Sequence, residues 1–154
     1  MKKLLMVIFS IFLTIGMSGQ TWKFKHVDSD FDGSYSVIYA KGSGGGFPYE
    51  SPSFYINNIK GGLNVYIHGL GYTGNDGNRL IFIFDGSRRY ELASDLVSAS
   101  ADSESLFISG ARREGEAEEL TIYHLLNEIG TSSRMSVRFK NDYKTNTFSY
   151  RLDG

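Results

Sequence analysis

The chain has 154 residues, 41% of them hydrophobic, with no cysteine and a formal net charge of −1. That is enough chain for one packed core and too little for two. The absence of cysteine excludes disulfides and a lipobox lipoprotein, and no basic run suited to a phosphate backbone is present, so nucleic acid is not an expected partner.

The first stretch, "MKKLLMVIFSIFLTIGMSGQ", reads as a secretory signal. Lys2 and Lys3 form the positive end, Leu4 to Met17 the apolar run, and small residues follow. A helix crossing the hydrocarbon core needs about 20 apolar residues, more than the 14 from Leu4 to Met17. Cleavage near Gly19 is therefore expected, leaving no stable membrane anchor, with residues 1–19 as signal peptide and 20–154 as a single domain. Loss of Lys2 and Lys3 takes the 16 basic residues to 14 against 17 acidic ones, a net charge of −3. The expected location is the periplasm or the medium.

From there the apolar residues alternate in short runs between turn signals, the pattern of antiparallel strands. "TWKFKHV" (21–27) sets Trp22, Phe24 and His26 on one face and Lys23 and Lys25 on the other. "HVDSDFDGSYS" (26–36) follows, then the strand "YSVIYAKG" (35–42). In the aspartate stretch, Asp28, Asp30, Asp32 and Gly33 occupy positions 1, 3, 5 and 6 of an EF-hand loop. Position 12, which should be a bidentate glutamate, is Tyr39, and the flanks read as strands. A turn between two strands is the expectation, with a weak calcium site at Asp28, Asp30 and Asp32 as the alternative. No other cofactor is expected.

"GSGGGFPYESP" (42–52) is a connection that Pro48 and Pro52 keep out of regular pairing. "SFYINNI" and "LNVYIHGL" read as a hairpin closed by Lys60, Gly61 and Gly62, with Leu63, Val65 and Ile67 toward the core. "GLGYTG" (69–74) matches G-x-G-x-x-G, but the next residues enter a strand, and that fingerprint needs a helix at its glycines. A glycine-rich β connection is the reading. "RLIFIFDG" (79–86) is apolar on both faces and reads as a central strand covered on each side. Weaker strands are expected at 89–94, 96–100 and 105–110.

The tandem arginines in "SRRY" (Arg88, Arg89) and "ARRE" (Arg112, Arg113) have Asp85, Glu91, Glu114 and Glu116 nearby. Local charge pairing is the expectation, and an anion site would need the two loops to meet. In "EAEELTIYHLLNEIG", Ile122, Leu125, Leu126 and Ile129 form an apolar stripe. A helix is expected over 116–129, with Glu116, Glu118 and Glu119 in its first turn and Gly130 as its stop. The chain closes with the hairpin of "RMSVRFKN" and "TFSYRLDG". Met135, Val137 and Phe139 face Phe148, Tyr150 and Leu152, and Arg138, Lys140 and Arg151 line the other side. The expected fold is an antiparallel β-sandwich of about eight or nine strands with this one helix before the final hairpin.

His26, His68 and His124 lie on different expected elements, without zinc spacing. There is no G-x-S-x-G elbow and no cysteine nucleophile, so an enzyme is not expected. The candidate contact region is two glycine-rich loops bearing aromatics. One carries Phe47, Pro48 and Tyr49, the other Tyr72, Thr73 and Asn75. The expected partner is a protein or a surface glycan, with a carbohydrate or small-ligand module as the alternative.

"DSDFDGSYSVIYA" after an opening tryptophan strand, "FDG" closing the central strand, and the C-terminal order of helix, "RMSVRFKN" and "TFSYRLDG" together resemble the invasion-associated locus B type family of small secreted bacterial proteins. The resemblance implies an exported β-sandwich with one packed helix and with the aspartate segment between the first two strands. It carries no catalytic residues to this chain, and roles tied to a disulfide do not transfer.

Overall fold

The computed structural model describes residues 22–45, 51–74 and 77–153. The expected signal at residues 1–19, and Phe47, Pro48, Tyr49 and Asn75 of the expected contact loops, lie outside the described residues.

The described strands form three antiparallel groups. The larger sheet contains β1 (Trp22–Ser29), β2 (Gly33–Lys41), β3 (Ser53–Asn57), β4 (Asn64–His68), β7 (Val97–Ala99) and β8 (Ser105–Ile108), in the order β1-β2-β3-β4-β8-β7. The smaller contains β5 (Arg79–Phe84), β6 (Arg88–Leu92), β11 (Arg134–Lys140) and β12 (Thr145–Arg151), in the order β12-β11-β5-β6. A short pair, β9 (Gly110–Arg112) with β10 (Glu119–Thr121), adjoins β6 through a bridge between Tyr90 and Arg113. One helix, α1 (Ile122–Thr131), precedes β11.

Strand alternation builds the core from both sheets. Ile38, Phe54, Ile56, Val65, Ile67 and Leu106 come from the larger sheet, and Leu80, Phe82, Phe84, Met135, Val137, Phe139, Phe148 and Tyr150 from the smaller, all in one contiguous cluster. Burying each such side chain contributes roughly 1.5–3 kcal/mol, and this stabilisation serves in place of disulfides. Phe54 and Tyr150 meet edge to face across the sheets at 6.1 Å. The Tyr150 hydroxyl donates to the Pro52 carbonyl at 3.0 Å. Gly42 lies so close beneath them that a Cβ there would stand 2.9 Å from the Pro52 oxygen and 3.1 Å from the Tyr150 ring. The result is the expected antiparallel β-sandwich.

The closing hairpin has the expected register, Met135 opposite Tyr150 and Val137 opposite Phe148. Strands β3 and β4 also pair as expected, joined through a 3-10 turn at Ile59–Gly61. Three expectations need correction. The strand count among the described residues is twelve, because β9 and β10, with three residues each, are too short to show a period. The helix starts at Ile122 instead of 116, because Glu119–Thr121 pairs with Gly110–Arg112 and that ladder claims the backbone a first turn would use. Glu116, Glu118 and Glu119 thus lie outside it, and Gly130 sits within it. Finally, β5 is central but buried on one face only, with Ile81 and Ile83 half-buried on the other.

Connections from both sheets gather at one end of the sandwich. The Gly69 amide donates to the Glu104 carbonyl at 3.1 Å, and that of Thr73 to Ser103 at 2.8 Å. Away from that end, Ser43 bridges Ser149, which lies level with Ser136 and Ile83 in the smaller sheet. The other end of β5 and β6 is held by α1, through Arg88 Nε to Glu128 at 2.7 Å and the Tyr90 hydroxyl to Glu128 at 2.7 Å.

Candidate functional site

The loop end is built around Asn141, which is buried between β11 and β12. Its Oδ1 accepts the amides of Tyr143 and Lys144 at 3.0 Å each, an Asx turn that shapes the β11–β12 connection. Its Nδ2 donates to the carbonyls of Tyr72 and Thr73 at 3.2 and 3.3 Å. One side chain therefore ties the two connections together. Lys144 donates to the Leu70 carbonyl and stands 5.4 Å from the centre of the Phe139 ring, and burial lowers its ammonium below the ordinary lysine value.

On this frame Tyr72 and Tyr143 stand out into solvent, 56% and 74% exposed, in a T-shaped pair with ring centres 5.6 Å apart. A T-shaped pair leaves ring face open, and the fixed loops lower the ordering cost of using it. Of the expected contact residues, Tyr72 is therefore exposed and Thr73 is buried. Tyr143 and Asn141 were not among the expected residues. The signal available for them was an Asn two residues before a Tyr at a hairpin turn, which predicts the Asx turn and says nothing of the contact with the Tyr72 loop.

The aspartate stretch is the tip of the β1–β2 hairpin. Ser29 pairs with Gly33, whose φ of +74° is the left-handed geometry that glycine takes without strain. Ser34 donates its hydroxyl to Asp28 at 2.6 Å, and His26 lies 3.4 Å from the same carboxylate. Asp32 pairs with Lys60 at 2.9 Å, and Asp30 is exposed. Among the described residues no group of three or more His, Asp or Glu side chains is arranged to hold a metal ion.

Outside the loop end, a row of aromatics crosses the outer face of the larger sheet. Tyr39 stacks on Tyr55 at 5.4 Å, Tyr55 on Tyr66 at 4.9 Å, and Phe107 lies 5.2 Å beyond. Burial, then the neighbouring Tyr55 phenol, raises the Tyr66 pKa. These rings spend their faces on one another, and such cross-strand pairs contribute about 0.5–1.5 kcal/mol each beyond area burial. His68 Nδ1 lies 2.9 Å from the Ser105 hydroxyl, but the two are opposite each other in the β4–β8 ladder and Ser105 is buried. Asp102, held below the usual carboxylate range first by the Ser100 hydroxyl and then by the Glu104 amide, closes the adjoining turn.

The tandem arginines find carboxylates, but only in part the local ones expected: Arg88 with Asp85 at 3.2 Å and Arg113 with Glu116 at 3.9 Å are three residues apart, whereas Arg88 also reaches Glu128, Arg112 reaches Asp95 at 2.6 Å, and Arg89 reaches Glu114 at 2.9 Å where the two arginine segments meet. No family model, curated protein or solved structure matches this chain.

Proposed function

We propose that this chain is an exported, non-enzymatic β-sandwich that acts by surface contact with another macromolecule, a protein or a surface glycan, through the loop end around Tyr72 and Tyr143. The observation that carries this reading is the exposed tyrosine pair on connections fixed by Asn141. Tyrosine supplies a large amphipathic contact at low entropic cost, and preorganised loops spare the ordering free energy of association. A calcium-ordered aspartate loop is not required, because Asp28 and Asp32 already have partners within the chain.

A second reading, a carbohydrate or small-ligand module, draws on the same two rings, since an exposed tyrosine face suits sugar stacking. The proposed kinship with the invasion-associated locus B type proteins rests on the order of helix, strand and strand that closes the chain. The test is photo-crosslinking from positions 72 and 143 in cells that express the protein. A discrete adduct with a macromolecule, whether protein or surface glycan, supports the first reading, an adduct with a free saccharide or other small ligand the second, and the absence of any adduct sinks both.

A further inference from the structure

The outer face of the smaller sheet is strongly cationic on a chain whose net charge is −1. Strand alternation puts Arg79, Arg89, Arg134, Arg138, Lys140 and Arg151 on that face, spread over all four strands and all exposed. The one carboxylate that the four strands contribute to it, Glu91, pairs with Arg79 at 3.0 Å, and Glu114 reaches Arg89 from outside the sheet. Asp153 lies 3.7 Å from Arg151. Among the described residues Arg134, Arg138 and Lys140 have no carboxylate partner, and Arg138 is steadied by the Thr147 hydroxyl at 3.4 Å. Arg134 and Arg151 are directly opposite in the ladder. Like charges so placed destabilise a sheet unless something external offsets them.

We infer that this face is a docking surface for an anionic lipid membrane. A linear polyanion needs a stripe of cations, whereas here they spread in two dimensions around the half-buried Ile81 and Ile83, which matches a plane of negative headgroups with a shallow apolar contact at its centre. The contact rests on exposed cations, so it is electrostatic and weakens with salt. The surface is distinct from the loop end and stands or falls separately from the reading above.

The test is sedimentation of the secreted, processed protein, without residues 1–19, with phosphatidylcholine vesicles, with and without phosphatidylglycerol, at low and high salt. Wild type is expected to bind the anionic vesicles at low salt and to leave them at high salt. The variant R138S/K140S should lose about 25-fold in partitioning, roughly five-fold per cation. K23S/K25S, which removes the same charge from the larger sheet, should stay within about two-fold of wild type. All four positions are exposed, so both variants should melt as wild type does. Equal loss in the two variants, equal binding to neutral vesicles, or binding to soluble polyphosphate without binding to vesicles would overturn the inference.

Discussion

Asn141 makes four hydrogen bonds from a buried side chain, two to its own turn and two to the Tyr72 connection. Substitution by alanine leaves four backbone groups to find other partners, and the expected cost is about 3 kcal/mol. Urea unfolding of Asn141→Ala checks this; a loss below about 1 kcal/mol would mean that the two connections hold without it. At the same scale Tyr150 was legible as an inward residue of the last strand. Its hydroxyl bond to Pro52 was not, because the partner lies far away in sequence and no local period encodes it.

Among the elements, the β1–β2 hairpin shows how a metal-like spacing arises from turn chemistry. Aspartates tolerate the turn and glycine closes it, while the carboxylates are drawn apart toward Ser34, His26 and Lys60. Sub-millimolar calcium should leave the melting temperature unchanged in wild type and in Asp30→Ala alike. A calcium-dependent rise in wild type that Asp30→Ala abolishes would restore the metal reading. Strands long enough to show a period, such as β4, β11 and β12, could be read from the sequence with their buried faces. The start of α1 could not, because its apolar stripe is local whereas the pairing of Glu119–Thr121 with Gly110–Arg112 is a tertiary choice that overrides helix propensity. Similarly, the apolar outer positions of β5 suggested a second covering layer, yet Ile81 and Ile83 are only half-buried among cations from neighbouring strands.

For the molecule as a whole, two core phenols and one on the outer face of the larger sheet resist ionisation. Burial pushes Tyr150 well above the ordinary tyrosine value. Burial also raises Tyr90, as does its bond to Glu128, and Tyr66 is raised too. Above about pH 10 the unfolded chain releases these protons while the folded chain keeps them. Stability is therefore intact below that value and falls as pH rises through it. The melting temperature should decline from about pH 10 upward, with a shallower slope in Tyr150→Phe; parallel slopes would remove Tyr150 from the account.

Charge is segregated at this scale as well, with cations on the sheet faces and many carboxylates in the turns, a pattern hidden in a sequence where single cations alternate with hydroxyl and apolar residues. The candidate site was half legible for a related reason. Tyr72 lies on a glycine-rich loop that invites attention, whereas Tyr143 gains its role only when Asn141 brings the two connections together.

The loop end as the contact surface is tested most directly by photo-crosslinking in the expressing cell, with a photo-reactive residue at position 72 or 143 and, as control, at the exposed Phe107 of the larger sheet. The same discrete adduct is expected from 72 and 143 and none from 107. An adduct from 107 alone, or from none of the three, would contradict this expectation.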